Sequence, residues 1–378
     1  MNLLFFTSDY AIGLSSLLVQ QSIAISRERD INLVCVAGDT EQEDGLTEQM
    51  AENNIHLIRI KDMDKHLNFK QLSKKIGQII EDNEIQFVHV QNNWQLSLLA
   101  FYKYKNIFRP KSFKIAYTLH GFRHNYPTRV MFAVVAIGMS LSFFANRVFV
   151  MSDYVKKHFF FLGKKMKKLY LGIDDSFFSK TENHVETNPI RLVFPAQFRT
   201  GKNQDIIINA IASYIDKTGD TSIELYLPGE GPLLEKYKEM AKDKGIEKNV
   251  IFPGQCTKLE IKELYEFCNV GIVSSNTETF GQSIVEPYVL GRCVLTRNVG
   301  VAPDIINNGV NGYLFRNKKD LTEILVKLSQ NRSKIETIGN NNFENRNTFS
   351  WREIVKIYKR DLENFNSSGR TINDIYKR

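Results

Sequence analysis

Two glutamates, Glu278 and Glu286, stand in the stretch TETFGQSIVEP with Phe280 and Gly281 between them. In one continuous helix their carboxylates would lie about 80° apart around the axis and more than two turns apart along it, too far for an acid/base pair. The run NVGIVSSN before them has the apolar pattern of a strand, and apolar residues after Gly281 recur at helical spacing. The pair therefore straddles a strand-to-helix junction, where free backbone N–H groups can bind an anion. Glu286, about one turn into that helix, offers a carboxylate either to a ribose diol or to solvent.

Other stretches of the second half point to phosphate or sugar. FPAQFRTGKNQD sets Arg199 and Lys202 in a turn between strand and helix, where cations would neutralise a diphosphate; taken alone they are more often two solvated loop charges. LPGEGP places Gly229, Glu230, Gly231 and Pro232 after a strand and before a helix. Glycine permits close backbone approach there and proline suits a first helical turn, a pattern common to many loops. NVGVAPDIINNGVNGYLF has two glycine-containing turns around a short helix and needs no ligand to explain it.

Short apolar runs must position these residues, and they alternate with helix-patterned segments along nearly the whole chain. Strands are expected at NLLFFTS, INLVCVAG, IHLIRI, IQFVHVQ, KIAYTLH, NRVFVMS and LYLGI, then at IRLVFPA, SIELYLPG, NVIFPG, VGIVSS, CVLTRN and GYLF. Helices are expected at 14–27, 69–82, 202–217, 233–244 and 258–267. Such alternation predicts an α/β fold of parallel sheets covered by helices on both faces. The length of 378 residues fits two domains, and the polar segment 175–189, ending in Pro189, is the expected linker. Doubly wound domains bind ligands at the carboxyl ends of their strands.

In this order and spacing the motifs resemble the nucleotide-binding half of the retaining glycosyltransferases of family 4. The family's Glu, seven residues and Glu are matched by Glu278 and Glu286 within SSNTETFGQSIVEP, and its GxAxDIxxxGxxGxL pattern by Gly300, Ala302, Asp304, Gly309, Gly312 and Leu314. The resemblance spans most of the chain and is densest from 190 to 315. It implies the GT-B architecture, two Rossmann-like doubly wound domains facing a central cleft. The domains expected are 1–175 for the acceptor, 188–350 for the nucleotide-sugar, and a helix at 351–378 packing back toward the first.

The resemblance also implies roles. Glu278 would contact hydroxyls of the transferred sugar, the backbone around Phe280, Gly281 and Gln282 would hold the diphosphate, and Glu286 would hold the ribose. Lys202 matches the family's diphosphate lysine, and Gly229 joins the donor-binding residues. Gln197 stands where the family usually has an arginine, and Arg199 is expected to take over its phosphate role. His120, in YTLHGF, matches a T-x-H-G context that lines the sugar pocket and faces the anomeric centre, although a strand-end histidine read by pattern alone is more often structural than catalytic. Gly13 matches the glycine-rich loop after the first strand, with Ile12 where a second glycine is common. VMSDYVKK and YLGIDDSFF resemble the family's SxxxK and GID segments and are expected to serve domain packing.

The implied reaction moves a sugar from a nucleoside diphosphate, UDP before GDP-mannose, to a saccharide or lipid-linked acceptor hydroxyl in cell-surface polysaccharide synthesis (O-antigen or capsule) with retention of configuration. A leaving diphosphate needs charge stabilisation more than a strong base, which Lys202, Arg199 and the helix start at Gly281 could supply, so no metal or other cofactor is expected. A competing sign is Asp62-Met63-Asp64, whose spacing could hold a divalent cation but which is expected as a solvated loop.

Fifty Lys plus Arg against 42 Asp plus Glu leave a net charge of +8, which suggests an anionic partner. FYKYKNIFRPKSFK and VKKHFFFLGKKMKKLY interleave basic and aromatic residues around the uncharged segment 131–145, shorter than the ~20 residues that span a bilayer. Association with the inner membrane surface is therefore expected, and nucleic acid is not, because no base-reading motif accompanies the charge. Cys35, Cys256, Cys268 and Cys293 stand alone, without metal or disulfide spacing, and the opening MNLLFFTSDY resembles a strand rather than a secretion signal. A cytoplasmic location follows as an expectation. A catalytically weak partner subunit and a membrane-surface binding module are the alternatives.

Overall fold

A run without a polar side, such as NLLFF at residues 2–6, is buried on both faces only in a parallel sheet covered by helices. The structure, a computed structural model, describes residues 1–7, 12–38, 46–61, 63, 69–106, 113–120, 144–158 and 160–367. Contacts divide them into two units. One comprises Met1–Met151, Val155–Gly172 and the chain from Trp351, and the other Ser152–Tyr154 and Ile173–Ser350.

In the first unit, strands β1 (Asn2–Phe6), β2 (Asn32–Gly38), β3 (His56–Ile60), β4 (Phe87–Val90), β5 (Lys114–Leu119), β6 (Arg147–Val150) and β7 (Met166–Lys168) form one sheet in the order β3-β2-β1-β4-β5-β6-β7. Every pair is parallel. Helices α1 (Ile12–Ser26), α2 (Leu46–Glu52), α3 (Phe69–Asp82) and α4 (Asn93–Lys105) join successive strands. The helix Trp351–Ser367 belongs to this unit. Its Trp351, Ile354, Val355, Tyr358 and Leu362 are buried at helical spacing, and Tyr358 Oη lies 2.8 Å from Nδ1 of the buried His89.

The second unit repeats the plan with β8 (Ile190–Val193), β9 (Ile223–Pro228), β10 (Val250–Gly254), β11 (Val270–Val273), β12 (Cys293–Thr296) and β13 (Tyr313–Leu314) in the order β10-β9-β8-β11-β12-β13, again all parallel. Helices α5 (Gln204–Thr218), α6 (Leu234–Asp243), α7 (Lys258–Phe267) and α8 (Gln282–Val289) follow β8, β9, β10 and β11. In each sheet the strand order reverses beside the first strand, the point at which doubly wound folds bind ligands.

The segment LYLGI does not form the expected strand. β7 ends at Lys168 because its partner β6 ends at Val150; Leu169 N makes one more bond to Val150 O (2.9 Å), and Ile173 then bridges to Ser350. The polar segment 175–189 is part of the second unit, with Phe177 and Val185 buried and Asn183 donating to Gly291 O at 3.0 Å. The segment 131–145 lies outside the described residues save its last two, and Asp62 and Asp64 lie outside them as well. Among the described residues no helix is long and apolar enough to cross a membrane.

Candidate active site

At the carboxyl ends of β8, β9 and β10 three loops run side by side. Ala196 N donates to Pro228 O (3.1 Å), Phe198 N to Glu230 O (2.9 Å) and Gly229 N to Gly254 O (2.7 Å). Gly229 and Gly231 have φ of 139° and 149°, and a Cβ on them would lie 2.2 Å from Ala196 O and 2.5 Å from Phe198 O. These glycines are required by loop packing, a reason beyond the ligand approach expected from sequence. The loops enclose a cavity of ≈ 560 Å³ lined by Arg199, Gly229, Gly231, Gln255, Cys256 and Ile261 among others. Arg199 is exposed on its wall and makes no ion pair among the described residues.

Lys202, from the same β8 loop, points elsewhere. Its Nζ lies 2.6 Å from Glu278 Oε1, and both side chains are about five-sixths buried, at 17% and 16% exposure. The loops that carry them are joined by two further hydrogen bonds: Asn276 N donates to Gly201 O (2.8 Å) and the Ser274 hydroxyl to Lys202 O (2.8 Å). Three residues after Glu278, Gly281 precedes α8 with φ 90° and ψ 71°, and no side chain caps the helix start. That left-handed geometry favours glycine, and a Cβ there would also meet Ile284 Cδ1 at 2.7 Å. Phe280 is buried and its carbonyl accepts from Val301 N at 2.8 Å, so the carbonyl points away while the first N–H groups of α8, from Gln282, remain at the junction.

Glu286 sits one turn into α8. Burial pushes its carboxyl up to about 7; the ammonium of Lys258 and the facing hydroxyl of Tyr265 oppose that rise, and Asp174 adds to it. Some of the Glu286 surface remains open, whereas Tyr265 is fully buried and its hydroxyl is held protonated by burial and by the facing carboxylate. Lys258 Nζ in turn lies 2.5 Å from Asp174 Oδ2.

The remaining two candidates belong to the first unit. His120 follows β5, and its Nε2 donates to Gln91 Oε1 at 2.7 Å from the neighbouring end of β4. Below them, His89 Nε2 lies 2.7 Å from Thr118 Oγ1, so two polar pairs stack on one face of the sheet. Gly13 lies in the first turn of α1, and residues 8–11 of its loop lie outside the described residues.

The structure thus joins Lys202 to Glu278, groups Arg199 with Gly229, and surrounds Glu286 with Tyr265, Lys258 and Asp174. Sequence reading missed Asn276, Tyr265 and Gln91. Only Tyr265 carried a signal, as an aromatic about two turns below the capped start of α7, where Thr257 and Glu260 form a capping box.

Residues 175–345 match the family Glycosyl transferases group 1. The chain is 22% identical over 350 residues, 89% of its own length and 92% of the relative's, to the uncharacterized glycosyltransferase MJ1178 of Methanocaldococcus jannaschii. Several further curated relatives align over less than half of their own length. Among solved structures, Anabaena Alr3699/HepE in complex with UDP superposes with a TM-score of 0.76 at 19% identity, over 96% of this chain and 100% of that one. The apo form of the lipopolysaccharide outer core galactosyltransferase WaaB does so with a TM-score of 0.74 at 13% identity, over 96% and 99%. Residues 175–345 are therefore a group 1 glycosyl transferase domain, in a chain whose two Rossmann-like units have the GT-B fold.

Proposed function

We propose that the protein transfers a sugar from a nucleoside diphosphate, UDP before GDP, to a hydroxyl of a saccharide or lipid-linked acceptor, with retention at the anomeric carbon and without a metal. The observation that carries this is the Lys202–Glu278 pair beside the uncapped start of α8. Without donor the two charges neutralise each other. A diphosphate arriving at the helix start draws Lys202 to itself, and the released Glu278 carboxylate accepts hydrogen bonds from the sugar hydroxyls. Glu286, ionised, accepts from the ribose, and the cavity beside Gly229 and Gln255 receives the base.

In the transfer step the bond between the anomeric carbon and the diphosphate oxygen breaks, with its electron pair leaving on the diphosphate. The acceptor oxygen attacks the same face and its proton passes to the departing phosphate oxygen. Lys202 and the N–H groups of α8 hold the charge that grows on the leaving group. The part that family resemblance gives to His120 belongs to this proposal. The similar structures, one a UDP complex and one a lipopolysaccharide outer core galactosyltransferase, support a UDP-sugar and a cell-surface glycan.

Attachment to an anionic membrane surface is proposed alongside, supported by exposed Lys156, Lys157, Lys164 and Lys167 and by the outward Tyr104 and Phe144. Incubation with UDP-glucose, UDP-galactose and GDP-mannose in EDTA, with products resolved by mass and the anomer by NMR, tests the reaction. Release of an α-linked product or, without acceptor, slow α-anomer hydrolysis is expected. Binding without turnover of any donor would favour the catalytically weak partner subunit.

A further inference from the structure

β8, β11 and β12 are neighbours in the second sheet, and the loops leaving their carboxyl ends meet at one side chain. Asn276 Oδ1 accepts from Asn203 Nδ2 (2.6 Å) and also from Arg297 Nη1. Asn203 Nδ2 further reaches Ser274 O at 3.3 Å, and Arg297 is anchored by its own N–H to Val273 O at 3.0 Å. Asn203 adopts φ 53° to do this, a left-handed conformation that asparagine tolerates better than most residues but still at some expense. The bridge therefore holds the guanidinium in a fixed place over the strand ends.

The charges around that place do not balance. Lys202 is taken by Glu278 at 2.6 Å, so that pair has no net charge. Among the described residues, the Arg297 guanidinium hydrogen-bonds only the neutral amide of Asn276 and forms no ion pair. It is only half-exposed, and most of its N–H donors are left over. A guanidinium held rigidly by an amide, with its charge unmatched, suits an anionic group that presents paired oxygens, as a phosphate does.

We infer that Arg297 is a phosphate-binding cation of the second unit, pre-positioned by the Asn203–Asn276 bridge and supplying the positive charge that the Lys202–Glu278 pair lacks. This rests on the donor-site reading above, and it specifies which part of a nucleotide the residue senses: the phosphates and not the base or ribose.

Calorimetric titration of the full chain with UDP and with uridine, and likewise with the GDP/guanosine and ADP/adenosine pairs, separates the possibilities. Arg297→Gln keeps an amide donor for Asn276 and removes the charge. It is expected to weaken the bound nucleoside diphosphate about tenfold, a charge-assisted hydrogen bond, while changing the matching nucleoside less than about twofold, and Arg297→Lys, which keeps the charge without the fork, restores only part of the loss. The wild-type affinity should also fall more steeply with salt than that of Arg297→Gln. If wild type binds a nucleoside diphosphate and Arg297→Gln binds it equally well, or loses diphosphate and nucleoside alike, the inference is wrong and the donor site stands. If wild type binds none of the three diphosphates, the donor site itself fails and the inference with it.

Discussion

Lys202 Nζ lies 2.6 Å from Glu278 Oε1, although the two residues are 76 positions apart and leave different strands. In the proposed reaction Lys202 takes the diphosphate and Glu278 the sugar, so donor binding there is an exchange of partners. Glu278→Gln removes the competitor for Lys202. UDP affinity is therefore expected to stay level or rise by a few-fold, while sugar transfer falls on the order of a hundredfold. Titration with UDP and an initial-rate assay with UDP-sugar measure the two effects; a parallel loss in both would show that Glu278 holds the loop rather than the sugar.

Glu286 predicts a pH dependence with opposite signs for binding and stability. Burial raises its carboxyl from 4.5 to about 7, so below pH 7 it carries a proton and accepts fewer ribose hydrogen bonds. The dissociation constant for UDP is expected to rise as pH falls below 7, by at most about tenfold per unit, and Glu286→Gln should flatten the curve. In the free protein the folded state keeps a proton that the unfolded chain has lost between pH 4.5 and about 7, so this group's stability contribution is present below 4.5 and is lost as pH rises through that window. Melting temperature and affinity, followed over pH 5 to 8, should move in opposite directions for wild type only.

Gly281→Ala tests the junction. The left-handed backbone and the 2.7 Å approach to Ile284 Cδ1 should destabilise the protein by about 1–3 kcal/mol and weaken UDP more than uridine, because the N–H groups of α8 would turn. Denaturant unfolding gives the first figure and calorimetry the second.

In the first unit, His89 has both ring nitrogens engaged, by Tyr358 at 2.8 Å and Thr118 at 2.7 Å, and burial lowers its pKa to about 3. Tyr358→Phe strands one nitrogen and is expected to cost about 1–3 kcal/mol in urea unfolding. His120→Ala, by contrast, should lower turnover and leave UDP affinity unchanged. An equal loss of UDP binding would place His120 in a structural role.

Much of the fold was legible because its determinants are local. The stripe Leu72, Ile76, Ile79 and Ile80 bounds α3, and the Thr257/Glu260 box starts α7, so both helices fall on the residues expected. The Glu278 and Glu286 junction is legible for the same reason, as a strand pattern broken by Gly281. What could not be read is set by tertiary approach. Nothing in the spacing of Lys202 and Glu278 pairs them, the Asn203–Asn276–Arg297 bridge joins three separate loops, and Gly229 and Gly231 gave a loop signal whose cause, contact with Ala196 O and Phe198 O, lies one strand away. LYLGI failed as a strand because apolar pattern says nothing about where a partner strand ends.

The most direct test is a thermal-shift panel of wild type and Lys202→Ala against UDP, GDP and ADP in EDTA. One nucleoside diphosphate should raise the wild-type melting temperature by mass action, and Lys202→Ala should lose that shift. No shift with any of the three, or a shift that Lys202→Ala retains in full, would contradict the assignment of the second unit as a metal-free nucleoside diphosphate clamp.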